Sequence, residues 1–546
     1  MVRHRNLRRY LVGFETTGLP QIFTDCLVIG GGVAGLRAAL EIAEAPGEGR
    51  VLVVTKGELL ESNSYYAQGG IAAVIDEKAD SPELHASDTL ATGCGLSDPA
   101  VVEMVVREGP ERIRELLAWG TPFDRDGERL ALTREGGHSA RRILHASGDA
   151  TGREITQILA AQARVHPKIA LRERTFTIDL LTAADGACLG ALLWQPHSGL
   201  TVCWARFTVL ATGGAGRLYR ETTNPEPATG DGAAIAYRAG AELADLEFYQ
   251  FHPTTLYIAG ASRALISEAV RGEGGRLVDR NGVRFMPDYH PDAELAPRDV
   301  VSRAIVRQMA KTDSTNVFLD LKHLPQRELY ARFPFIKQIC KDFDIDIARD
   351  LIPVRPAAHY MVGGVRVDEI GRTSVERLYA SGEVSCTGLH GANRLGSNSL
   401  LEAIVYGYRT GRDVVERLAA NGSPGPLRSN LSFKVARSDR TVLDVGDVGN
   451  SLRAVMWRNV GIERDERHLR ETEEIIEFWQ SYVLDKEFAG PAGWELQNML
   501  TLARLIARSA CERTESRGTH FRSDFPDRDD AHWQRHITRG LADDLP

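Results

Sequence analysis

The 546-residue sequence predicts an α/β nucleotide-binding domain of the Rossmann-like type, interrupted by an inserted α+β domain and followed by a C-terminal helical bundle. Three observations predict it. A strand, a glycine turn and a helix follow one another near the start. Two further apolar strands, far along the chain, end in glycine turns of their own. The texture then changes twice, at about residue 251 and at about residue 428. The length alone favours several domains, because single hydrophobic cores stop growing beyond roughly 250–300 residues.

The basic leader, residues 1–10, lacks the apolar run of a secretory signal and reads as a disordered tail within an N-terminal extension over 1–23. Asp25-Cys26-Leu27-Val28-Ile29 then reads as a buried strand, running into the turn Gly30, Gly31, Gly32, Val33, Ala34, Gly35 and an amphipathic helix over 36–45. Gly30 permits the turn, Gly32 lets the backbone approach a pyrophosphate, and Gly35 lets helix and strand pack closely. The helix N-terminus faces the negative charge. A second strand follows over 50–55, but Thr55-Lys56 stands where an acidic residue would bind a ribose hydroxyl, which argues against a nicotinamide cofactor. A third strand over 207–211 ends in Thr212-Gly-Gly214, and a fourth ends in Ser381-Gly-Glu383. Such strand ends place one elongated ligand along the carboxyl edge of a sheet.

Between residues 251 and 356 short motifs rich in His, Arg, Gly and Pro mark the insertion. Beyond it, Leu452-Arg-Ala-Val-Met-Trp457 and the run 496–506 have helical periodicity with Arg and Glu on their polar faces, and Asn421-Gly-Ser-Pro-Gly-Pro426 is the clearest linker. The boundaries expected are 24–246 and 358–424 for two parts of the nucleotide domain, 247–357 for the insertion and 425–546 for the helical domain.

The balance of 66 basic against 74 acidic residues, net −8, argues against nucleic acid as a partner. Seven cysteines stand without CxxC spacing, so neither a zinc site nor a disulfide framework is expected, and a reducing cytoplasm is the simplest location. No metal is expected. No apolar run approaches the ~20 residues that span a bilayer.

The glycine turn, Asn63-Ser-Tyr-Tyr-Ala-Gln68-Gly-Gly70, Ala211-Thr-Gly-Gly214, Ser381-Gly-Glu383 and His390-Gly-Ala-Asn-Arg394 together resemble the flavoproteins of the succinate dehydrogenase and fumarate reductase superfamily. Within it, Leu132-Thr-Arg-Glu135-Gly-Gly-His138-Ser-Ala-Arg-Arg142-Ile-Leu-His145 resembles the L-aspartate oxidase family. The resemblance implies FAD held by the Gly30 to Gly35 turn, by Lys56, by Asn63, Ser64, Tyr65, Tyr66, Ala67, Gln68, Gly69 and Gly70, and by Asp231, Glu383, Ser399 and Leu400. Asn63 stands where membrane-bound succinate dehydrogenases have a histidine joined to FAD, so non-covalent FAD is implied. The insertion is then a cap that closes over the flavin.

Four basic residues suit a substrate with two carboxylates: His252 in Glu247-Phe-Tyr-Gln-Phe-His252-Pro, Arg298 in Ala296-Pro-Arg298-Asp, His359 in Pro356-Ala-Ala-His359, and Arg394. Arginine offers a planar fork to a carboxylate. Singly, a histidine before proline is a turn residue and an arginine a solvated charge; their family-wise match is what gives them a role. By resemblance Arg298 moves the proton at substrate carbon, His252, His359 and Arg394 hold the carboxylates, and Ser267 adds a hydroxyl contact. Glu268 and Arg271, three apart on a helical face, resemble a proton relay leading to Arg298; an ordinary ion pair is the plainer reading.

Glu135 separates family members. An amino-acid substrate carries an α-ammonium group that succinate and fumarate lack, and a carboxylate near it is then useful. The alternative is a loop glutamate paired with Arg141 or Arg142. The activity implied is FAD-dependent oxidation of L-aspartate to iminoaspartate, feeding quinolinate and NAD synthesis, with O2 or fumarate as acceptor and quinolinate synthase as a partner for hand-over. A soluble fumarate reductase or a succinate dehydrogenase flavoprotein subunit is the alternative enzyme, and would need an electron partner for which the chain has no cysteine cluster or haem motif. A flavin-binding module without catalysis would have lost the polar residues just named.

Overall fold

A computed structural model describes residues 8–47, 49–258, 264–420, 428–435 and 443–544. Its nucleotide sheet runs in the spatial order Phe176–Thr182, Cys188–Gln195, Gly199–Leu210, Gln21–Ile29, Val51–Val54, Ile169–Arg172, with Leu378–Ala380 paired to the end of Gly199–Leu210. Gln21–Ile29 lies parallel to both Gly199–Leu210 and Val51–Val54, and Leu378–Ala380 is parallel as well. The Val, Ile and Leu runs of these strands are buried on both faces where they converge, the pattern of a parallel sheet covered by helices. The helix expected over 36–45 spans Val33–Glu44, one turn nearer the glycines, and packs on the long helix Asn398–Ala420. The strand expected over 207–211 is the end of the longer Gly199–Leu210, whose start forms an antiparallel meander with Cys188–Gln195 and Phe176–Thr182.

A second, antiparallel sheet joins Tyr249–Leu256, Ile352–Met361, Val317–Asp320 and Arg276–Val278 in that spatial order. Its apolar side chains form a core of their own, drawn from residues between Leu256 and Val354. The register sets His252 opposite Ala357, so that His252 and His359 project from neighbouring strands with ring centroids 5.1 Å apart.

Three helices, Val445–Asn459, Glu466–Val483 and Pro491–Glu512, pack on one another at the C-terminal end. Pro491–Glu512 is buried along most of its length and shares a core with the nucleotide sheet. The motif over 515–524 is a turn built on buried ion pairs: Arg517 Nε meets Glu515 Oε1 at 2.6 Å and Arg517 Nη1 donates to Cys94 O at 2.7 Å, which ties the helical segment to the rest.

The expectation of a disordered tail fails for residues 8–10, and the order continues into the extension beyond them. Tyr10, Leu11, Val12 and Phe14 are buried against Trp204 and Trp494, Phe14–Glu15 pairs with Ser432–Phe433, and Leu11 N donates to Asp179 Oδ2 at 2.8 Å. Four apolar residues after a basic start are enough to fill a groove between the meander and the last long helix. Residues 1–7 and the linker 421–426 lie outside the described residues. No described helix is long and apolar enough to cross a membrane. The seven cysteines are all free thiols.

Candidate active site

The carboxyl ends of the parallel strands open into an elongated cleft. Gly30 has φ +117°, and a Cβ there would lie 2.0 Å from Ala211 O; a Cβ on Gly35 would lie 2.2 Å from Gly30 O. No side chain fits at either position, which is how strand, turn and helix come this close. Gly30, Gly31, Gly32, Val33 and Ala34 line the cleft, and the helix beyond them points its N-terminus into it. The loop after the second strand reaches the same place because Ser64 Oγ accepts from Val33 N at 3.3 Å. Lys56, Asn63, Ser64, Tyr66, Ala67, Asp231, Glu383, Ser399 and Leu400 line it too.

Five of the expected cofactor residues are placed differently. Gly35 acts by packing against Gly30, and Tyr65 sits edge-on to Tyr66 with centroids 5.3 Å apart; neither lines the cleft. Gln68, Gly69 and Gly70 line the adjoining chamber, because the chain turns there into the strand Ile71–Ala72. Gln68 therefore lies on the chamber side of the site rather than in the cleft.

The cleft fits FAD on its own features. It has an open glycine backbone for a pyrophosphate, apolar walls from Ile29, Val54 and Phe176, and two buried polar atoms without a partner, Asn63 Oδ1 and Thr212 Oγ1. Glu383 accepts from Asn63 Nδ2 at 2.7 Å and from Met361 N at 3.0 Å; burial pushes its carboxyl above the usual range, against the opposing pull of those two bonds. Thr212 and Asn224, which also face the cleft, were signalled only by the Thr-Gly-Gly turn and by no motif respectively.

At one end the cleft meets a small polar chamber lined by Glu135, His252, Ser267, Glu268, Arg298, His359 and Arg394. Every expected substrate residue lies on it. Of the expected catalytic residues, Arg271 lies behind, reaching the chamber through Glu268. Arg298 opens the helix Arg298–Lys311, and its Nε donates to Glu268 Oε2 at 2.6 Å. Glu268 Oε1 meets Arg271 Nη2 at 3.2 Å across one turn of Glu268–Gly272, so the three form a line from the interior to the chamber. Burial works to raise the Glu268 carboxyl, but Arg298 and Arg271 outweigh it and hold it below the usual range. Burial lowers Arg271, with Glu268 opposing. Ser267 caps the same short helix, its Oγ accepting from Ala269 N at 3.3 Å.

Both histidines are neutral. Burial, followed by Arg298 and His359, holds His252 well below the ordinary 6.5, and burial, followed by Arg394 and Arg298, does the same to His359. Nδ1 of His252 accepts from Thr254 N at 3.3 Å and Nδ1 of His359 from Thr223 Oγ1 at 3.0 Å, leaving each Nε2–H for the chamber. Burial, aided by Arg298, pushes Arg394 down to about 10, still a cation at neutral pH. Its Nη1 donates to Ser399 Oγ at 2.9 Å, its plane lies 4.5 Å over the Tyr360 ring, and its buried Nε has no partner.

Sequence reasoning missed Gln250. Its Oε1 accepts from Arg298 Nη1 at 3.1 Å and from Arg394 Nη2 at 2.9 Å, and its Nε2 donates to Asn393 Oδ1 and Arg394 O, each at 2.8 Å. One amide thus sets the spacing of two guanidinium groups that would otherwise repel. The signal was its place two residues before His252, on the same strand face.

Glu135 is 5% exposed. Ser397 Oγ donates to its Oε2 at 2.8 Å, while Oε1 has no hydrogen-bond partner and lies 3.9 Å from His145 Nε2. The alternative pairing with Arg142 is overturned: that buried guanidinium grips Asp80 through Nε at 2.8 Å and Nη2 at 2.7 Å, and also bonds Asp88. A buried acceptor without a donor costs about 1–3 kcal/mol, more when charged. The formal charges around the chamber are three guanidiniums, Arg271, Arg298 and Arg394, against two carboxylates, Glu135 and Glu268. That arrangement suits a ligand with two carboxylates and one ammonium.

Among the described residues no cluster of His, Cys, Asp and Glu could hold a metal ion. The FAD binding domain family matches residues 25–400, and the fumarate reductase flavoprotein C-terminal family matches residues 449–543. L-aspartate oxidase of Streptomyces coelicolor is 43% identical over 543 residues, which covers 96% of this chain and 92% of that protein. L-aspartate oxidase of Pseudomonas aeruginosa is 44% identical over 525 residues, covering 92% and 96%. Among solved structures, FrdA of E. coli quinol fumarate reductase is 33% identical and superposes with a TM-score of 0.88, over 95% of this chain and 94% of that one.

Proposed function

The chain belongs to the L-aspartate oxidase family, and from that premise we propose how the chamber beside its FAD cleft works. The enzyme oxidises L-aspartate to iminoaspartate with FAD, the first step of NAD synthesis through quinolinate. FAD, when bound in the cleft, would supply the hydride-accepting, two-electron chemistry that no side chain of the chain can provide. The residues of the chain bind, orient and move a proton.

In this reading Arg394, with the Nε2 atoms of His252 and His359, holds the two carboxylates, and Ser267 adds a hydroxyl. Arginine binds a carboxylate through a charge-assisted, two-pronged contact, and neutral histidines donate without adding charge. Arg298 takes up the proton released when aspartate is oxidised and delivers one to the neighbouring carbon when fumarate is reduced. Glu268 and Arg271 pass that proton between Arg298 and the interior. Segment 247–357, which carries His252, Ser267, Glu268, Arg271 and Arg298, acts as a cap that keeps water out.

The observation that carries aspartate over succinate is Glu135 Oε1, a buried carboxylate oxygen facing the chamber without a donor. An α-ammonium supplies the missing donor and the missing charge. Anaerobic mixing tests this directly: L-aspartate bleaches the yellow protein much faster than succinate does. Faster bleaching by succinate would move the site to the succinate dehydrogenase reading.

O2 and fumarate are the electron acceptors in this account, and the location is cytoplasmic. Iminoaspartate hydrolyses in water, which favours direct hand-over to quinolinate synthase; an equal quinolinate yield when a dialysis membrane separates the two enzymes would rule that out. The FAD is non-covalent, since Asn63 offers an amide, already hydrogen-bonded to Glu383, and no nucleophile. Denaturation is expected to release intact FAD into the supernatant, and flavin left on the precipitated chain would contradict this.

A further inference from the structure

The end of the cofactor cleft away from the substrate chamber is braced from behind its lining by residues outside the nucleotide domain. Its near end is marked by residues shared with the chamber, among them His359, Ser399 and Leu400, whereas Lys56, Phe176 and Asp231 line the cleft alone. A flavin beside the chamber leaves the adenosine at the Lys56 end.

Lys56 Nζ donates to Thr229 Oγ1 at 2.6 Å, to Asp231 Oδ2 at 2.6 Å and to Glu495 Oε1 at 2.7 Å. An ammonium has three N–H groups, so Lys56 has none left for a ligand. Asp231 accepts from Lys56 and Thr229 at Oδ2 and from Asn498 Nδ2 at Oδ1, the last two each at 2.7 Å. A carboxylate has about four acceptor sites, so one remains, on a side chain that lines the cleft. Glu495 and Asn498 belong to Pro491–Glu512, outside the stretch matched by the FAD binding domain family, and Glu495 does not itself line the cleft. Asn498 is held by Arg238 at 2.7 Å, Arg238 by Asp179 at 2.7 Å, and Asp179 accepts the Leu11 N–H.

We propose that Glu495 is a positioning residue of the cofactor site: by taking the third N–H of Lys56 it fixes Lys56 on Asp231, which then offers its remaining acceptor to a hydroxyl of the adenosine ribose. The C-terminal helix, and through Asn498 the N-terminal segment, thereby take part in holding FAD. The inference rests on the cleft being the FAD site with Lys56 and Asp231 at its adenosine end.

The test is the Kd for FAD of the apoprotein, read from quenching of flavin fluorescence, with ADP as a competing probe. Glu495→Gln keeps the shape and removes the anion, and the Kd for FAD and the inhibition constant for ADP are both expected to rise by about tenfold. Lys56→Met has a similar effect, and Glu495→Gln adds nothing to it, because the two act through one contact. An E495Q protein within twofold of the parent, beside a weakened K56M, overturns the role of Glu495 while leaving the cleft as the FAD site. Equal losses from E495Q with and without Lys56 also overturn it, since they signal general loosening. No loss from either variant overturns the placement of adenosine at this end, and the inference with it.

Discussion

Arg298→Ala lowers both aspartate oxidation and fumarate reduction by about 10²–10⁴-fold, the usual contribution of a general acid–base group, while FAD stays bound. The side chain reaches the substrate chamber but does not line the cofactor cleft, so the yellow colour is expected to persist. The fold is expected to survive as well. Removing Arg298 leaves Glu268 still facing Arg271 at 3.2 Å, and leaves Gln250 Oε1 still accepting from Arg394. Gln250 keeps a donor and Glu268, though it loses the hydrogen bond from Arg298, keeps the charge of Arg271 as an ion-pair partner, so no buried charge is left uncompensated, the usual route to a large stability loss. Arginine is too basic to serve as a proton carrier in water. In the chamber Glu268 places a carboxylate 2.6 Å from Arg298 Nε, within reach to accept a proton in this reading. Steady-state rates with each substrate, beside an unchanged flavin spectrum, check the prediction. Near-normal turnover by a folded, yellow variant rules Arg298 out as the proton carrier.

The parts of the fold that were legible in the sequence are those in which local chemistry and long-range structure agree. Val51–Val54 and Leu378–Ala380 are short apolar runs ending at turns, buried on both faces, and read as such. Gly30 and Gly35 were readable because only glycine satisfies the contacts with Ala211 O and Gly30 O. The meander of Phe176–Thr182 and Cys188–Gln195 was not, since its strands are uniformly buried and carry no alternation to set them apart from a helix. Residues 8–10 were misread as a disordered tail because the partners of Tyr10, Trp204 and Trp494, lie far off in the chain.

The chamber shows the same division. His252, His359, Arg298 and Arg394 were found by motif, and all four line it. Gln250 was inside a quoted motif and passed over, because a lone glutamine has no charge to draw notice; its importance arises only once Arg298 and Arg394 converge on it. The surroundings of Glu135 could not be read at all. Arg142 is seven residues away in sequence, yet it is committed to Asp80 and Asp88, whereas the donor that Glu135 does have, Ser397, lies 262 positions away.

The central claim is that Glu135 makes this a site for an amino dicarboxylate, and Glu135→Gln tests it by keeping shape while removing charge. Ser397 Oγ can still donate to the amide oxygen, so the loop over 132–145 keeps that contact. What is lost is the attraction of Oε1 for an α-ammonium. A hydrogen bond to a charged group is worth about 1.5–3 kcal/mol, so kcat/KM for aspartate is expected to fall by roughly ten- to hundredfold. Fumarate has no ammonium and two negative charges, so its reduction is expected to hold steady or improve as a nearby anion disappears. The measurement is the ratio of kcat/KM for aspartate oxidation to that for fumarate reduction, in the parent and in the E135Q protein. The account predicts that the ratio drops by roughly ten- to hundredfold; equal losses for both substrates, leaving the ratio unchanged, would contradict it and make Glu135 a residue that only orders its loop.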